Sequence, residues 1–396
     1  MKYIKLFAAF LCSALLFAAC SAQNAKPAVS IETNNWKTNY KYVFVHGLSG
    51  WGSYDDQYKY MPYWGMFGGD LLEYLNGQGF DCYAASVAPQ GSAWDRACEL
   101  YAQLTGNIVD YGKEHSERCN HDRFGADYSK NPLIENWNAE NKINLLGHSF
   151  GGATVRLFSE LMANGSEAER LASDEGDLSG FFTGGKADWI YSITALAAPH
   201  NGTTAYNAGS STQQENEKPG GIKEKIQDYL SGLVSKYTAA EEDGRIAEDY
   251  AAYDMHIDNA LALNDRISTL ENAYYFSFPC SSTIQTEDGT YYPDEDITES
   301  MFIKSAAAMG AYTGVTPNGF VIDESWQDND GLVNTVSAVA PIGAPQRAFE
   351  EGNVFTGEWN IMPTYKGDHM SLQGGMLKKN DVKEFYLEFL DLINCL

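Results

Sequence analysis

The stretch KINLLGHSFGGATVR, residues 142–156, decides the fold of this chain. It joins an apolar run typical of a buried strand to an amphipathic pattern typical of a helix. Between the two lies GHSFG, residues 147–151, which matches the pattern G-x-S-x-G. That pattern puts a serine on a sharp strand-to-helix turn, where glycines let strand and helix approach closely. The sequence therefore predicts Ser149 as a nucleophile; the alternative is a serine that only caps the helix.

Strand-like and helix-like segments alternate along the chain. Apolar runs predict buried strands at 41–47, 80–87, 142–149, 189–199 and 272–278. Helical patterns lie between them, at 70–79, 95–112 and 151–165, and a further amphipathic helix is predicted at 222–237. This alternation implies a mostly parallel sheet that is flanked by helices on both faces. The predicted fold class is therefore α/β.

The N-terminus has the character of an export signal, since lysines precede an apolar run too short to span a bilayer. Cys20 follows LFAA, which resembles a bacterial lipobox and predicts a lipid anchor; cleavage behind Ala22 is the alternative. We expect a signal peptide at 1–19, a tether at 20–38 and a single domain at 39–396. The protein is thus expected to be exported, as an extracellular protein or a cell-surface lipoprotein.

Acidic residues outnumber basic ones by 53 to 27, and the formal net charge is −26 at pH 7. Such a charge repels nucleic acid and anionic membranes, which excludes both as partners. Contact with a membrane is expected only through the lipid anchor, and the protein is expected to be a monomer. The cysteines after Cys20 are too few and scattered for a disulfide framework, which leaves at most a single bridge: Cys82, Cys98, Cys119, Cys280 and Cys395.

A serine on such a turn needs an acid and a histidine, in that order along the chain. Among the histidines after Ser149, His369 lies in a loop-like segment before a C-terminal helix. His200 directly follows a strand with no acid candidate before it, and His256 lies in a helix-like segment. We expect His369 to take the proton of Ser149 while Asp330, in the loop-like NDG, orients the imidazole. The rival acids are Asp323, Asp328 and Asp368.

Negative charge that develops on an attacked carbonyl oxygen needs two backbone N–H donors aimed at it. We expect one donor from Phe150, the residue after the nucleophile. The other is expected from Leu48, within the loop HGLSG at 46–50 that follows the first strand. A plain tight turn at 46–50 is the alternative interpretation.

Longer sequence motifs occur along most of the chain. They are HGLSGWG (46–52), YWGMFGGD (63–70), WDRACELYAQL (94–104), VDYGKEHSERCNHDRFG (109–125), LLGHSFGG (145–152), PHNGTT (199–204), DNDGLVNTVS (328–337) and GDH (367–369). With them the chain resembles bacterial lipases of family I.5, the thermoalkalophilic Bacillus, Geobacillus and staphylococcal group. The resemblance implies an α/β-hydrolase fold, the triad Ser149, Asp330 and His369, and the oxyanion donors Leu48 and Phe150.

The resemblance also implies a zinc site in a small extra subdomain. The family's two aspartates and two histidines match Asp95, His115, His121 and Asp249. Two imidazoles and two carboxylates suit tetrahedral Zn²⁺, and four protein ligands make the ion structural. Residues six apart differ by about 240° around a helix, so the two histidines converge only if the helix ends between them. The alternatives are Cys119 as a soft ligand, or two surface histidines without a metal.

The subdomain is expected as two insertions, at about 88–130 and 235–258. A lid is expected at about 205–240, where only 48 residues separate His200 from Asp249 and many of them are polar. The region is shorter than the lid of the family, and a reduced, polar lid predicts an open cleft that accepts bulky or short-chain esters.

The resemblance implies a calcium site as well, but this sequence departs from it. The family uses an acid two residues after the triad histidine and another acid, followed by proline, a few residues further on. Ser371 and the stretch QGGML at 373–377 take those positions here. Because Ca²⁺ prefers carboxylate oxygens, we expect no calcium site.

The function that the sequence favours is serine ester hydrolysis, by a lipase or carboxylesterase, through an acyl-enzyme. Its substrate is expected to be an acylglycerol, a short-chain ester or a polyester. The nearest alternative is a polyesterase or short-chain carboxylesterase with little triacylglycerol activity. A binding protein on a decayed hydrolase is disfavoured because every catalytic element is intact. A zinc hydrolase is disfavoured because the chain has no H-E-x-x-H.

Overall fold

The computed structural model describes residues 33–174, 176–208, 244–376 and 379–396. The signal peptide, Cys20, the helix expected at 222–237 and the lid beyond Ala208 lie outside the described residues. Contacts group the described residues from Trp36 to Leu396 into one compact unit, and the 3-10 turn Thr33–Asn35 is not part of it. The boundaries of the tether, the domain and its insertions stay predictions.

Seven parallel strands form the main sheet, in the order β6-β7-β5-β4-β3-β1-β2. They are β1 (Lys41–Val45), β2 (Cys82–Ala85), β3 (Ile143–His148), β4 (Ile190–Leu196), β5 (Tyr274–Phe278), β6 (Gln346–Ala348) and β7 (Trp359–Ile361). The first five confirm the strands predicted from apolar runs. The last two were not predicted because three residues are too few to establish a pattern.

Helices connect these strands. They are α1 (Leu71–Gly77), α2 (Ala93–Thr105), α3 (Lys113–Cys119), α4 (Gly151–Asn164), α5 (Glu167–Ala172), α6 (Ala205–Ala208), α7 (Ala251–Met255), α8 (Ile257–Asn264), α9 (Ile303–Gly310) and α10 (Lys383–Asn394). The helix predicted at 95–112 is wrong beyond Thr105, because Gly106 takes a left-handed conformation (φ 66°) and ends α2. In the described part of the chain, no helix is long and apolar enough to cross a membrane.

Among the described residues, four two-stranded ribbons lie outside the main sheet. Three are antiparallel and one is parallel. The antiparallel ribbons pair Ile108–Asp110 with Phe124–Asp127, Thr283–Gln285 with Tyr291–Pro293, and Gly314–Val315 with Val321–Ile322; the parallel one pairs Cys280–Ser281 with Tyr365–Lys366. All five cysteines among the described residues are free thiols, so the bridge that composition left open is not formed there.

Both faces of the sheet are buried, as the alternation of side chains along β1 demonstrates. Val43 and Val45 belong to the apolar cluster that contains the inner faces of α2 and α4. On the other face, the ring of Phe44 lies 5.8 Å from that of Tyr386 on α10. The Tyr42 hydroxyl donates to the Leu390 carbonyl on the same helix. Helices on both faces of a parallel sheet confirm the predicted α/β class.

The carboxyl ends of parallel strands meet at one edge of the sheet, where ligands of α/β proteins bind. The loop after β1 and the turn after β3 lie next to each other there, because β1 pairs directly with β3. A β-carbon added to Gly151 would lie 2.3 Å from the Val45 carbonyl oxygen, so the two backbones touch. The edge therefore requires glycine at this position.

We expect Gly151→Ala to lower the free energy of unfolding by roughly 1–3 kcal/mol or more, because the new methyl group forces β1 and α4 apart. Gly77→Ala is the matched control: it lies at the end of α1, and nothing stands within 4 Å of the added carbon. Urea unfolding of both variants measures the difference. Equal midpoints for the two variants would contradict the close approach at Gly151.

Candidate active site and metal centre

Ser149 lies between the end of β3 and the start of α4, in a left-handed conformation with φ 55°. Such a conformation is costly for a residue with a β-carbon, so the surrounding structure must impose it. A β-carbon added to Gly147 would lie 2.3 Å from the Gly151 carbonyl oxygen, and one added to Gly47 would lie 2.7 Å from Cβ of Ser149. These close contacts hold the serine on the sharp turn that the sequence predicts.

His369 and Asp330 meet Ser149 at this edge. The Ser149 hydroxyl lies 2.8 Å from Nε2 of His369, and Nδ1 of His369 lies 2.9 Å from Oδ2 of Asp330. The other oxygen of Asp330 accepts from the amides of Leu332 and Val333, at 3.0 and 2.7 Å. These contacts fix the imidazole with its proton on Nδ1 and its lone pair on Nε2. Chemically, the ring can then take the proton of the serine hydroxyl.

The rival histidines lie elsewhere. His200 is buried, its ring lies 4.7 Å from that of Trp359, and burial lowers its pKa well below the usual value. His256 is exposed, beside the ring of Tyr206. Neither is among the hydrogen-bond partners of Ser149 in the described part of the chain.

The rival acids are also engaged in other contacts. Asp323 caps a 3-10 turn by accepting from the Ser325 amide. Asp328 accepts from the hydroxyls of Ser281 and Thr283. Asp368, whose pKa is raised by burial, turns its carboxylate away from the neighbouring imidazole and accepts from the groups that hold the His369 loop. These groups are the amides of Glu299 and Met370 and the Ser371 hydroxyl.

The backbone amide of Phe150 directly follows Ser149 in sequence, and that of Leu48 belongs to the loop after β1. Neither amide donates a hydrogen bond to any described residue, whereas the neighbouring amides of Gly47 and Ser49 are engaged. A β-carbon built on Gly47 would lie 3.2 Å from Oγ of Ser149, which puts the loop after β1 beside the nucleophile. Two free N–H groups next to a serine hydroxyl can stabilise an oxyanion.

A buried chain of hydrogen bonds that the sequence did not predict lies under this site. The Gly47 amide donates to the Tyr63 hydroxyl, which lies 2.6 Å from Nδ1 of His148. Nε2 of His148 lies 2.8 Å from the carbonyl oxygen of His369. Burial lowers the pKa of His148 to about 3, so the ring is neutral: Nδ1 accepts from Tyr63 and Nε2 donates to His369. Gly47, Tyr63 and His148 lie in the motifs HGLSG, YWG and GHS, but only the tertiary structure reveals that they are hydrogen-bonded to one another.

A second cluster brings together the four predicted metal ligands. Nε2 of His115 lies 3.0 Å from Oδ1 of Asp95 and 3.3 Å from Oδ1 of Asp249. Nε2 of His121 lies 3.9 and 3.6 Å from the same two oxygens. Ligands at about 2.0–2.2 Å from a tetrahedral Zn²⁺ are separated by about 3.3–3.6 Å, which these spacings resemble. The donor set therefore fits a metal ion.

The surroundings of the cluster also fit a cation. Nδ1 of His121 lies 2.8 Å from the Asp122 carbonyl oxygen, to which it donates, so the lone pair of the ring is on Nε2 and faces the carboxylates. Nε2 of His121 and Oδ1 of Asp249 are buried and make no hydrogen bond to any described residue. Acceptor atoms that face one another in this way suit a positive ion between them.

The two histidines converge because the helix that carries the first of them ends before the second. His115 lies on α3, and α3 ends at Cys119 with Asn120 in a left-handed conformation, φ 62°. The turn after this cap brings His121 back over His115, with their ring centroids 5.4 Å apart. The buried Glu169 carboxylate accepts from the His115 amide and holds the start of the helix.

Cys119 belongs to the same neighbourhood. Donor atoms of His115, Cys119, His121 and Asp249 lie within 4.8 Å of one another, so these four side chains could also hold a metal ion. However, the sulfur lies 3.8 Å from Nδ1 of His115, the ring nitrogen that points away from the carboxylates. Asp95 lies on the Nε2 side and is the better fourth ligand.

The segment where the family places calcium is held by protein groups. The Ser371 hydroxyl donates to Asp368, and the Met376 amide donates to Glu299. Both carboxylates are buried. That the chain has no calcium site stays a prediction.

Comparison with known proteins gives matches along most of the chain. A family model described as "Lipase-like, C-terminal domain" matches residues 38–216. The chain is 30% identical to Lipase 2 of Staphylococcus aureus over 383 residues, which cover 89% of this chain and 53% of that protein. It therefore spans about half the length of the curated relatives that it matches.

Solved structures match over nearly their full length. The structure of EstA from Clostridium botulinum superposes with a TM-score of 0.78 and 30% identity, covering 94% of this chain and 92% of that one. The Staphylococcus hyicus lipase superposes with a TM-score of 0.73 and 26% identity, covering 94% and 98%. Together with the serine turn and the motifs that surround it, these similarities establish that the chain belongs to the I.5 family of bacterial lipases.

Proposed function

We propose that the protein is a serine hydrolase of carboxylic esters. The observation that carries this proposal is the pair of hydrogen bonds that His369 makes, one to the hydroxyl of Ser149 and one to the carboxylate of Asp330. The relatives support the same chemistry, since they are named lipases or, in one case, EstA.

In the proposed reaction, Ser149 attacks the acyl carbonyl while His369 takes its proton through Nε2. Asp330 stabilises the imidazolium through Nδ1, and the amides of Leu48 and Phe150 stabilise the oxyanion. His369 then protonates the leaving alcohol, which leaves an acyl-enzyme. Water activated by the same imidazole releases the acid and restores the serine.

Export fits this activity, since esters of the medium are then within reach. We propose a signal peptide at 1–19 and either lipidation of Cys20 or release of the protein. The net charge of −26 disfavours nucleic acid and anionic membrane surfaces as partners. A monomer suffices, because Ser149, Asp330 and His369 come from a single chain.

Short-chain esters and polyesters are the second candidate for the substrate class. The short stretch between His200 and Asp249 favours them over long-chain triacylglycerols, because many of its residues are polar. A lid of this kind covers less of the cleft, so bulky or water-soluble esters gain access without an oil interface.

The cluster at Asp95, His115, His121 and Asp249 is proposed to hold a structural Zn²⁺. Two carboxylates balance the charge of the ion, and four protein ligands leave no open position for water activation. When bound, the ion joins α2, α3 and the 3-10 turn Ala247–Asp249, which are far apart in the sequence. The ion is therefore expected to stabilise the fold.

We expect Ser149→Ala to lower kcat on p-nitrophenyl butyrate by about 10⁶-fold and Asp330→Asn by about 10⁴-fold, because these changes remove the nucleophile and the correct imidazole tautomer. Initial rates on the purified mature protein measure both effects. Asp323→Asn makes the same chemical change at an exposed rival acid and should leave kcat unchanged. A large loss in this control, together with a mild effect of Asp330→Asn, would reverse the assignment of the acid.

A reduced lid predicts that p-nitrophenyl esters from butyrate to octanoate are cleaved faster than the palmitate ester, and that emulsified triolein is a poor substrate. Rates measured across the acyl series on the same preparation test this. The opposite order, with triolein and long chains preferred, would identify a long-chain lipase and contradict the inference from the lid.

Removal of the metal should lower the thermal stability of the protein before it lowers the rate of ester hydrolysis. We expect His121→Ala to weaken metal binding by more than the roughly 10–100-fold typical of losing a hydrogen-bond partner of a ligand, and to lower Tm. Elemental analysis and thermal unfolding, with and without chelator, measure both quantities. Cys119→Ser is the control and should keep the ion. Loss of the metal in Cys119→Ser but not in His121→Ala would identify Cys119, and not His121, as a ligand.

A further inference from the structure

Arg96 is a charged side chain buried in the middle of α2. None of its surface is exposed, and burial lowers its pKa to about 10, so it still carries a positive charge at neutral pH. All its hydrogen bonds within the described residues go to neutral oxygens. Nearby Glu99 uses its carboxylate on the Ala88 amide and the Tyr111 hydroxyl instead. The charge of Glu99 lies nearby, but a buried cation with no hydrogen-bonded carboxylate is costly, so its place here needs a reason.

The guanidinium contacts the ends of two strands and the start of a helix. Nε donates to the hydroxyl of Thr154 at 2.9 Å, and Nη1 donates to the carbonyls of Ala88 at 3.1 Å and Gly47 at 3.4 Å. Nη2 donates to the carbonyl of His46. The planar fork of an arginine, with donors at fixed angles, can bind several carbonyls in this way, whereas a lysine cannot.

The contact with Gly47 fixes the direction of a neighbouring donor. No cis peptide occurs among the described residues, so the Gly47 carbonyl and the Leu48 N–H point in opposite directions within their shared peptide plane. Arg96 and Nδ1 of His46 both donate to that carbonyl. With the carbonyl held toward the arginine, the Leu48 N–H must point away from it, and the adjoining Gly47 lies against the side chain of Ser149.

The same guanidinium lies over the ring of Phe150, with its central carbon 5.1 Å from the ring centroid. The hydroxyl of Thr154, which Arg96 binds, in turn donates to the Phe150 carbonyl at 3.2 Å. One side chain thus contacts Phe150 and the Gly47 carbonyl, which shares a peptide group with the Leu48 amide. Its positive charge also lies close behind them.

We propose that Arg96 is the positioning residue of the oxyanion hole, which it assembles by holding the Leu48 peptide and Phe150 in place. This inference rests on the proposed ester hydrolysis. The oxyanion forms only in the transition state and the tetrahedral intermediate, so the effect of Arg96 falls on kcat rather than on substrate binding. Its charge adds a favourable potential that the surroundings, being dry, do not screen.

The test compares Arg96→Lys and Arg96→Met with Arg156→Lys and Arg156→Met. Arg156 is a matched control because it is also buried, on α4, with its pKa lowered by burial to about 10, and it binds Asn264 away from Ser149. The readouts are kcat and KM for p-nitrophenyl butyrate, and the inhibition constant of butylboronic acid. This boronic acid forms a tetrahedral anion on the serine and so reports on the oxyanion hole.

Both Arg96 variants are expected to lower kcat by about 10²-fold, the usual effect of losing one oxyanion donor, with little change in KM. The inhibition constant of the boronic acid should rise in proportion. The Arg156 variants should lose stability without either change. Folded Arg96 variants that bind the boronic acid as tightly as the wild type would overturn the inference, and so would equal losses in both pairs.

Thr154→Val provides a second route if the Arg96 variants do not fold. It keeps the arginine and the volume of the side chain but removes one hydrogen bond to the guanidinium. A smaller loss in kcat, matched by weaker boronic acid binding, is expected; no change in either quantity counts against the inference. A wild-type protein that neither cleaves the ester nor binds the boronic acid would instead refute the proposed ester hydrolysis.

Discussion

The close approach of three backbone segments around Ser149 is the constraint on which the rest of the structure depends. The loop after β1, the end of β3 and the start of α4 touch one another through glycines, and Ser149 is held in a left-handed conformation as a result. A side chain at Gly47, Gly147 or Gly151 would push these segments apart. Because the amide of Phe150 and the hydroxyl of Ser149 belong to the same turn, donor and nucleophile are set by one local geometry.

Beneath this turn the protein buries polar side chains where most folds bury apolar ones. Tyr63 and His148 link the loop after β1 to the His369 carbonyl, and Arg96 links it to α2 and α4. Each bond is strong in a dry interior, and each unmatched group would be costly, so the network tolerates little movement. The proposed base and the proposed oxyanion donors are thereby positioned before substrate arrives, which is the arrangement that electrostatic catalysis requires.

Helix α2 connects this network to the metal cluster. Asp95 and Arg96 are neighbours in sequence, and side chains of adjacent helical residues point about 100° apart. One therefore reaches the cluster at His115 and Asp249, and the other reaches the loop after β1. A metal ion at the cluster would hold the 3-10 turn at Asp249 and the end of α3 against this helix. Its benefit to the active site would be indirect, through the stability of α2.

Local patterns in the sequence alone determined the class of fold and the first five strands of the main sheet, and they predicted Ser149 with His369 and Asp330 as its partners. These features can be recognised from sequence because apolar runs indicate strands, a glycine-flanked serine indicates the turn, and the acid and the histidine follow the serine in a known order. The family resemblance supplied the four residues of the candidate metal cluster. Only the tertiary structure decided the short strands β6 and β7, the end of α2 at Thr105 and the contacts of Arg96. An arginine in an amphipathic helix has no special signature in sequence; its meaning comes from carbonyls about fifty residues away, which folding alone brings within hydrogen-bond distance.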